Sequence, residues 1–194
     1  IFPVFMFVLT VIAFFLFTKE IFYDGFEDKK YPNIIALISS FFLATIPILL
    51  PRTIAGIPEK ESAGFLFIFL ALYFFIKAFK SKKIKVIIVN SILAGITTAI
   101  LGLIWGGVMF VLIPMGIALC LMFILGKYDK NRLLAHFIWV ITFMPIMMYF
   151  STRYSLRFFL LSFTYAPIYA ALVFSVIDLF FYNKLMKIKQ IKLF

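Results

Sequence analysis

"GFLFIFLALYFFIKAFKSKKIKVIIVNSILAGITTAILGLI", residues 64–104, holds two long apolar runs, 64–79 and 86–104, parted by a short lysine-rich break. Apolar residues occupy consecutive positions in each run, so no polar face is left at either a helical or a strand period. A strand crossing lipid alternates apolar with polar residues and runs for about ten positions, which this stretch does not do. A helix that is apolar all round lies inside a large core or in lipid. About 20 residues of helix, with a range of about 17 to 25, cross the hydrocarbon layer. Each run is therefore read as one membrane-spanning helix.

The same pattern repeats on both sides, with further runs at 1–18, 32–50, 106–126, 133–150 and 158–181. The fold class is all-α: a polytopic membrane helical bundle of about seven transmembrane helices, one domain over 1–194. Composition agrees. Of 194 residues 65% are hydrophobic and 28 are Phe, whereas soluble domains run at roughly half apolar. Ile1 already stands inside an apolar run and the chain closes on a basic patch, so a segment of a longer polytopic protein is expected.

Net charge is +11, but the cations lie in short clusters between apolar runs. That pattern marks topology and anionic-lipid contact and excludes a nucleic-acid partner. If the spans alternate, segments 19–31, 77–85, 127–132 and 183–194 share one side and hold three, five, three and four Lys or Arg, fifteen in all. The other side holds only Arg52, Lys60, Arg153 and Arg157. The positive-inside rule makes the first side cytoplasmic, with the N-terminus outside and the C-terminus inside. Cys120 is the single cysteine, a small apolar residue within a span that allows no intrachain disulfide.

Within the spans, Ser91, Gly95, Thr98 and Gly102 recur at helical spacing and form a small-residue stripe for close approach of another helix. "IWGGV", 104–108, is a chargeless turn with Trp105 at interface depth and Gly106–Gly107 permitting the reversal. Pro47, Pro114, Pro145 and Pro167 are expected to interrupt and kink helices.

Chemistry concentrates in "LLPRTIAGIPEKESAGF", 49–65. Two of the eight acids in the chain, Glu59 and Glu61, stand one residue apart here, seven residues after Arg52. Residues at i and i+2 do not share a helix face. In an extended or turning loop, however, two carboxylates can converge on one hard cation such as Mg²⁺, Mn²⁺ or Ca²⁺, with the rest of the shell supplied from elsewhere. Arg52 could hold a phosphate oxygen or orient a carboxylate. The plain alternative is a solvated turn, since acidic pairs are common in loops.

"RTIAGIPEKESAGF" resembles the second external loop of the oligosaccharyltransferase catalytic subunit, which moves a lipid-linked glycan onto asparagine. Arg52, Thr53, Ala55, Gly56, Glu59 and Glu61 fall in register on that family's Arg, Ser/Thr, small-Gly step and acidic-x-acidic pair. "FPVFMFVLTVIAFFLFTKEIF" and "YPNIIALISSFFLATIPILLPR" are similar to the two preceding spans of archaeal members. "LAGITTAILGLIWGGVMFVLIP" is similar to the hairpin that follows.

The resemblance implies a metal-dependent glycosyltransferase for protein N-glycosylation, working on the extracellular face of the plasma membrane. It implies Glu59 and Glu61 as ligands of Mn²⁺ or Mg²⁺, with Arg52 and Glu61 in catalytic roles. Its partners would be a polyprenyl-phosphate-linked oligosaccharide donor, an acceptor polypeptide bearing an Asn sequon, and membrane lipid. Glu59 departs from the family's usual Asp by one methylene. A further acidic loop, a catalytic Glu and a Trp-Trp-Asp motif of the family have no counterpart here, so the chain would carry part of a site and be inactive alone.

Other polar residues are weaker candidates. Arg153 and Arg157, in "STRYSLR", could contact a donor phosphate but read first as interface anchors beside Tyr154. His136 reads as a hydrogen-bonded structural residue. Asp178, inside the last span, reads as reaching the interface or pairing with Lys184. "KEIFYDGFEDKKY", 19–31, reads as a solvated loop. A transporter or lipid flippase would show charges at mid-membrane depth or a duplicated half. A non-catalytic scaffold subunit would tolerate loss of the Arg-to-Glu spacing.

Overall fold

A computed structural model of the chain describes residues 2–47, 49 and 59–181. Arg52 and the residues up to Pro58 lie outside that description, as does Lys184. All regular structure among the described residues is helical. The helices are α1 (Phe2–Phe22), α2 (Lys30–Thr45), α3 (Lys60–Lys80), α4 (Ile84–Ile104), α5 (Met109–Ile124), α6 (Lys130–Phe150), α7 (Leu156–Leu161) and α8 (Ala166–Phe181). Five are long and apolar enough to cross a membrane: α1 and α3 to α6, with α1 and α5 counted together with their flanking 3-10 turns. Helices α2 and α8 have 16 residues each.

Helices α3 and α4 form the middle of the bundle. Helix α1 packs on the outer side of α3 and α2 on α1, while α6 covers the other side of α4 and α5 pairs with α8. Helix α2 is the most peripheral, and Leu37, Ile38, Phe41 and Phe42 project from it unburied. Such exposed apolar side chains suit a lipid solvent, where they cost nothing.

The turns alternate between two ends of the bundle. At one end Lys80 forms an ion pair with Asp24 (2.9 Å), its ammonium also donates to the carbonyls of Glu20 and Ile21, and the Phe79 ring meets Tyr128 (6.4 Å). The 23–29, 81–83 and 125–129 turns thus gather where lysines are dense. Glu61, nineteen residues from Lys80 along one helix, lies about 28 Å away at 1.5 Å per residue. That distance matches the thickness of the hydrocarbon layer, about 30 Å.

The expected small-residue stripe is the tightest seam of the fold. Ser91, Gly95, Thr98 and Gly102 are all buried, and α6 lies against them. A Cβ added at Gly95 would come within 2.5 Å of Thr142 Cβ and 3.1 Å of the Trp139 carbonyl oxygen. Trp139 Nε1–H donates to Thr98 Oγ1 at 3.1 Å. At the far end Tyr154 O–H donates to the Gly102 carbonyl at 2.7 Å. Gly102 lies within the last four residues of α4, whose carbonyls have no partner in the helix itself, so Tyr154 serves as a cap supplied from another segment. Around this seam an aromatic chain runs from Phe79 through Phe75, Trp139 and Phe143 to Phe159 and Tyr154.

Three expectations change. The stretch 158–181, read as one span, is two helices. Six-residue α7 is capped by Ser155, whose Oγ accepts from Phe158 N–H (3.1 Å), and ends at Leu161 before α8 starts at Ala166. Pro167 supplies a reason: its ring would strike the carbonyl of residue 163 in a continuous helix, and it has no N–H to give. The prolines also divide. Pro114 and Pro145 lie inside α5 and α6, whereas Pro47 follows the end of α2 and Pro167 opens α8. Gly107 is needed for space, and neither glycine of the Gly106–Gly107 pair for backbone freedom, because the one described glycine with positive φ is Gly126 (66°). A Cβ at Gly107 would sit 2.1–2.5 Å from the Trp105 ring.

Candidate functional site

Helix α3 begins four residues before the apolar run does, and this places both acids of the candidate loop at its N-terminus. Glu59 is the N-cap with extended backbone (φ −84°, ψ 147°), and its carbonyl accepts both the backbone N–H and the hydroxyl of Ser62 (3.2 and 2.7 Å). Glu61 stands in the first turn. Carboxylates are favoured here whatever else they do, because the helix dipole presents its positive end to them. Both are half-buried.

Glu61 opens onto a cleft of 510 Å³. Its walls come from four places: Leu43, Ile46 and Leu49 near the end of α2, Phe65 and Phe69 of α3, Trp105, and Phe110 of α5. Among the described residues, Glu61 is the sole ionisable one in the lining. The Trp105 ring is held edge-on to Phe65 (5.9 Å) and backs onto Gly64, where an added Cβ would lie 2.9 Å from it. Two glycines, Gly64 and Gly107, therefore make the slot that fixes this tryptophan as a wall of the cleft.

Arg153 belongs to the same end. A Cβ added at Gly106 would lie 3.7 Å from its guanidinium, one residue along from Trp105, and the guanidinium also stacks over Tyr154 (5.7 Å to the ring centre). The chain thus brings one cation next to the Trp-Gly-Gly turn. Burial raises the Tyr154 hydroxyl above the usual phenol range, with the Arg153 charge opposing the shift. The hydroxyl accordingly stays a neutral donor to Gly102 throughout the physiological range. Arg157 is exposed on α7, away from these contacts. Arg52 lies outside the described residues, so its place beside Glu59 and Glu61 rests on sequence.

The donor set present suits a hard cation in part. Glu59 and Glu61 offer only carboxylate oxygens, the chemistry that Mg²⁺, Mn²⁺ and Ca²⁺ prefer. Among the described residues no group of three or more His, Cys, Asp or Glu forms a complete cluster. Two carboxylates leave a shell of six or more to be finished by other ligands.

The remaining candidates lie elsewhere. His136 is wholly buried in α6, and its Nδ1 shares a hydrogen bond with the Tyr128 hydroxyl, which fits the structural role read from sequence. Asp178 is buried on α8 (7% exposed), and Lys184, its expected partner, lies outside the described residues. Residues 24–31 are exposed apart from one ion pair, as a solvated turn should be. What sequence missed was the cleft: the runs 32–50, 64–79 and 106–126 each supply walls, and only packing brings them together.

Fold and composition define an integral membrane protein, a helical bundle with acidic side chains at the end of one long helix. A sequence model of the family described as "Oligosaccharyl transferase STT3, N-terminal" matches residues 1–193, and the chain belongs to that family. Comparison with individually curated proteins returns no match. Family membership carries oligosaccharyltransferase activity in protein N-glycosylation, with a lipid-linked oligosaccharide donor and a protein acceptor in general terms.

Proposed function

We propose that this chain forms part of the catalytic membrane domain of an oligosaccharyltransferase. The full enzyme transfers a glycan from a polyprenyl-phosphate carrier to the Asn of a sequon, on the extracellular face of the plasma membrane. The observation that carries this reading is Glu61, an acid in the first turn of α3 facing a cleft whose other described walls are apolar, beside Trp105, at the end of the bundle opposite Lys80. In this topology α1 to α6 and α8 make the seven crossings, the N-terminus lies outside, and the lysine-dense end is cytoplasmic.

Each part of the site has a chemical task. The apolar walls exclude water and accept the first isoprene units of the carrier. Glu59 and Glu61 would hold Mn²⁺ or Mg²⁺, with Arg52 orienting a carboxylate. Bound there, the ion would neutralise charge on the departing pyrophosphate. Arg153, beside the Trp-Gly-Gly turn, offers a second cation for donor phosphate oxygens. Donor, metal and acceptor then meet at one interface, where the low dielectric of the cleft strengthens every charge contact.

The test uses the full-length protein with a lipid-linked donor and an acceptor peptide. Glu61→Gln should lower Mn²⁺-dependent glycopeptide formation by about 100-fold or more while membrane insertion is unchanged. Undiminished transfer would remove Glu61 from the site.

A further inference from the structure

A second groove lies at the opposite end of the bundle. It has a volume of 380 Å³ and runs between Phe17 of α1, Leu72 and Phe79 of α3, and Pro114 and Met122 of α5. Lys80 and Arg132 stand at its lysine-dense end. From Lys80 to Leu72 the groove climbs eight residues of α3, about 12 Å. That is under half of the hydrocarbon thickness of about 30 Å, so the groove belongs to one leaflet.

We propose that this groove is a binding site for an anionic phospholipid of the lysine-rich leaflet, one acyl chain lying in the groove and the headgroup phosphate meeting Arg132, while Lys80 stays paired with Asp24. Charge complementarity selects that occupant. Lys82, Lys83, Lys85, Lys127 and Lys130 are all exposed, in or next to the turns at this end of the bundle. Three of the rim acids are already engaged: Asp24 with Lys80, Asp28 on the Lys30 N–H, and Asp129 on the Arg132 N–H. Arg132 is tethered through Nη1 to the Lys127 carbonyl, which holds its planar guanidinium at the groove rather than free in solvent. A guanidinium held in place gives phosphate a bidentate partner with less entropy to lose than a free side chain would. Aromatic and Met walls suit an irregular, flexible acyl chain.

The site is tested on the full-length protein, delipidated in detergent and titrated with phosphatidylglycerol or phosphatidylcholine of identical acyl chains. Retained lipid is read by native mass spectrometry. Each cation near the headgroup contributes a factor of about 5. Wild-type protein should retain phosphatidylglycerol at least about 5-fold over phosphatidylcholine. Arg132→Gln should lower phosphatidylglycerol retention about 5-fold and phosphatidylcholine retention less, because the choline cation offsets the charge of its phosphate, and Arg132→Lys should restore only the part due to charge. Ala118 of α5 lines the groove one turn from Pro114, so Ala118→Phe, or the milder Ala118→Leu, fills it and should lower retention of both lipids. Melting temperatures without lipid identify any variant that is simply misfolded, and the Arg132 pair then decides alone. Equal retention of the two lipids by wild type, or retention indifferent to both Arg132 and Ala118, would overturn the site. Either result would mean that a neutral lipid or another stretch of the full-length chain covers the groove.

Discussion

Gly95 and Gly102 stand two turns apart on the same face of α4, yet replacing each with alanine should have unequal consequences: a clear loss at the first and almost none at the second. In a helix interior Gly→Ala alone gains about 1 kcal/mol. Against that gain stands what the new methyl meets. At Gly95 it would lie 2.5 Å from Thr142 Cβ and 3.1 Å from the Trp139 carbonyl oxygen, both fixed to the α6 backbone. Carbon atoms pack best at about 3.5–4.0 Å, so α6 must retreat by about 1 Å or more. Retreat would lengthen the Trp139–Thr98 hydrogen bond from 3.1 Å to beyond bonding range. Overpacking costs about 1–3 kcal/mol, and a clash with rigid atoms belongs at the upper end, leaving a net loss of about 2 kcal/mol. At Gly102 the methyl would strike the end of Met147, Cε at 2.3 Å and Sδ at 3.2 Å. A methionine tip swings aside cheaply, so loss and gain nearly cancel. Equilibrium unfolding of the two variants in mixed micelles gives the comparison. A Gly95→Ala protein as stable as wild type, or one less perturbed than Gly102→Ala, would refute the account of this seam.

Three further outcomes follow from the same packing. Tyr154→Phe removes the donor to the buried Gly102 carbonyl at the end of α4 and should cost about 1–3 kcal/mol in the same unfolding assay. Trp139→Phe keeps most of the ring contacts but loses the bond to Thr98, whose hydroxyl still donates to the Ala94 carbonyl, so a smaller loss of about 1 kcal/mol is expected. Gly107→Ala should be worse than either, since the methyl meets a tryptophan ring wedged against Gly64; loss of transfer activity together with stability is the expected readout in the full-length enzyme.

Sequence and structure meet most closely where a residue's role is carried by its own helix. The α4 stripe was legible because helical periodicity gathers Ser91, Gly95, Thr98 and Gly102 on one side, whatever helix lies opposite. The alternation of the described turns between the two ends was legible because lysines accumulate at one of them. Hidden features depended on a partner from elsewhere in the chain. Nothing in the run 158–181 shows that Pro167 divides it rather than kinking it. Glycines 106 and 107 look like turn residues, and only the folded Trp105 shows that the second makes room for a ring. Likewise Glu61 reads as one half of an acidic pair until Leu49, Trp105 and Phe110 close around it.

The two tryptophans of the chain are divided between core and cleft, one sealed inside the α4–α6 seam and the other a wall beside Glu61. With Trp139 exchanged for Phe, all indole emission of these 194 residues would come from Trp105. A hydrocarbon tail sliding past that ring would shift its emission to the blue, and a paramagnetic Mn²⁺ settling near Glu61 would quench it. The glycine-lined slot thus gives a spectroscopic gauge of occupancy, readable before any sugar is transferred.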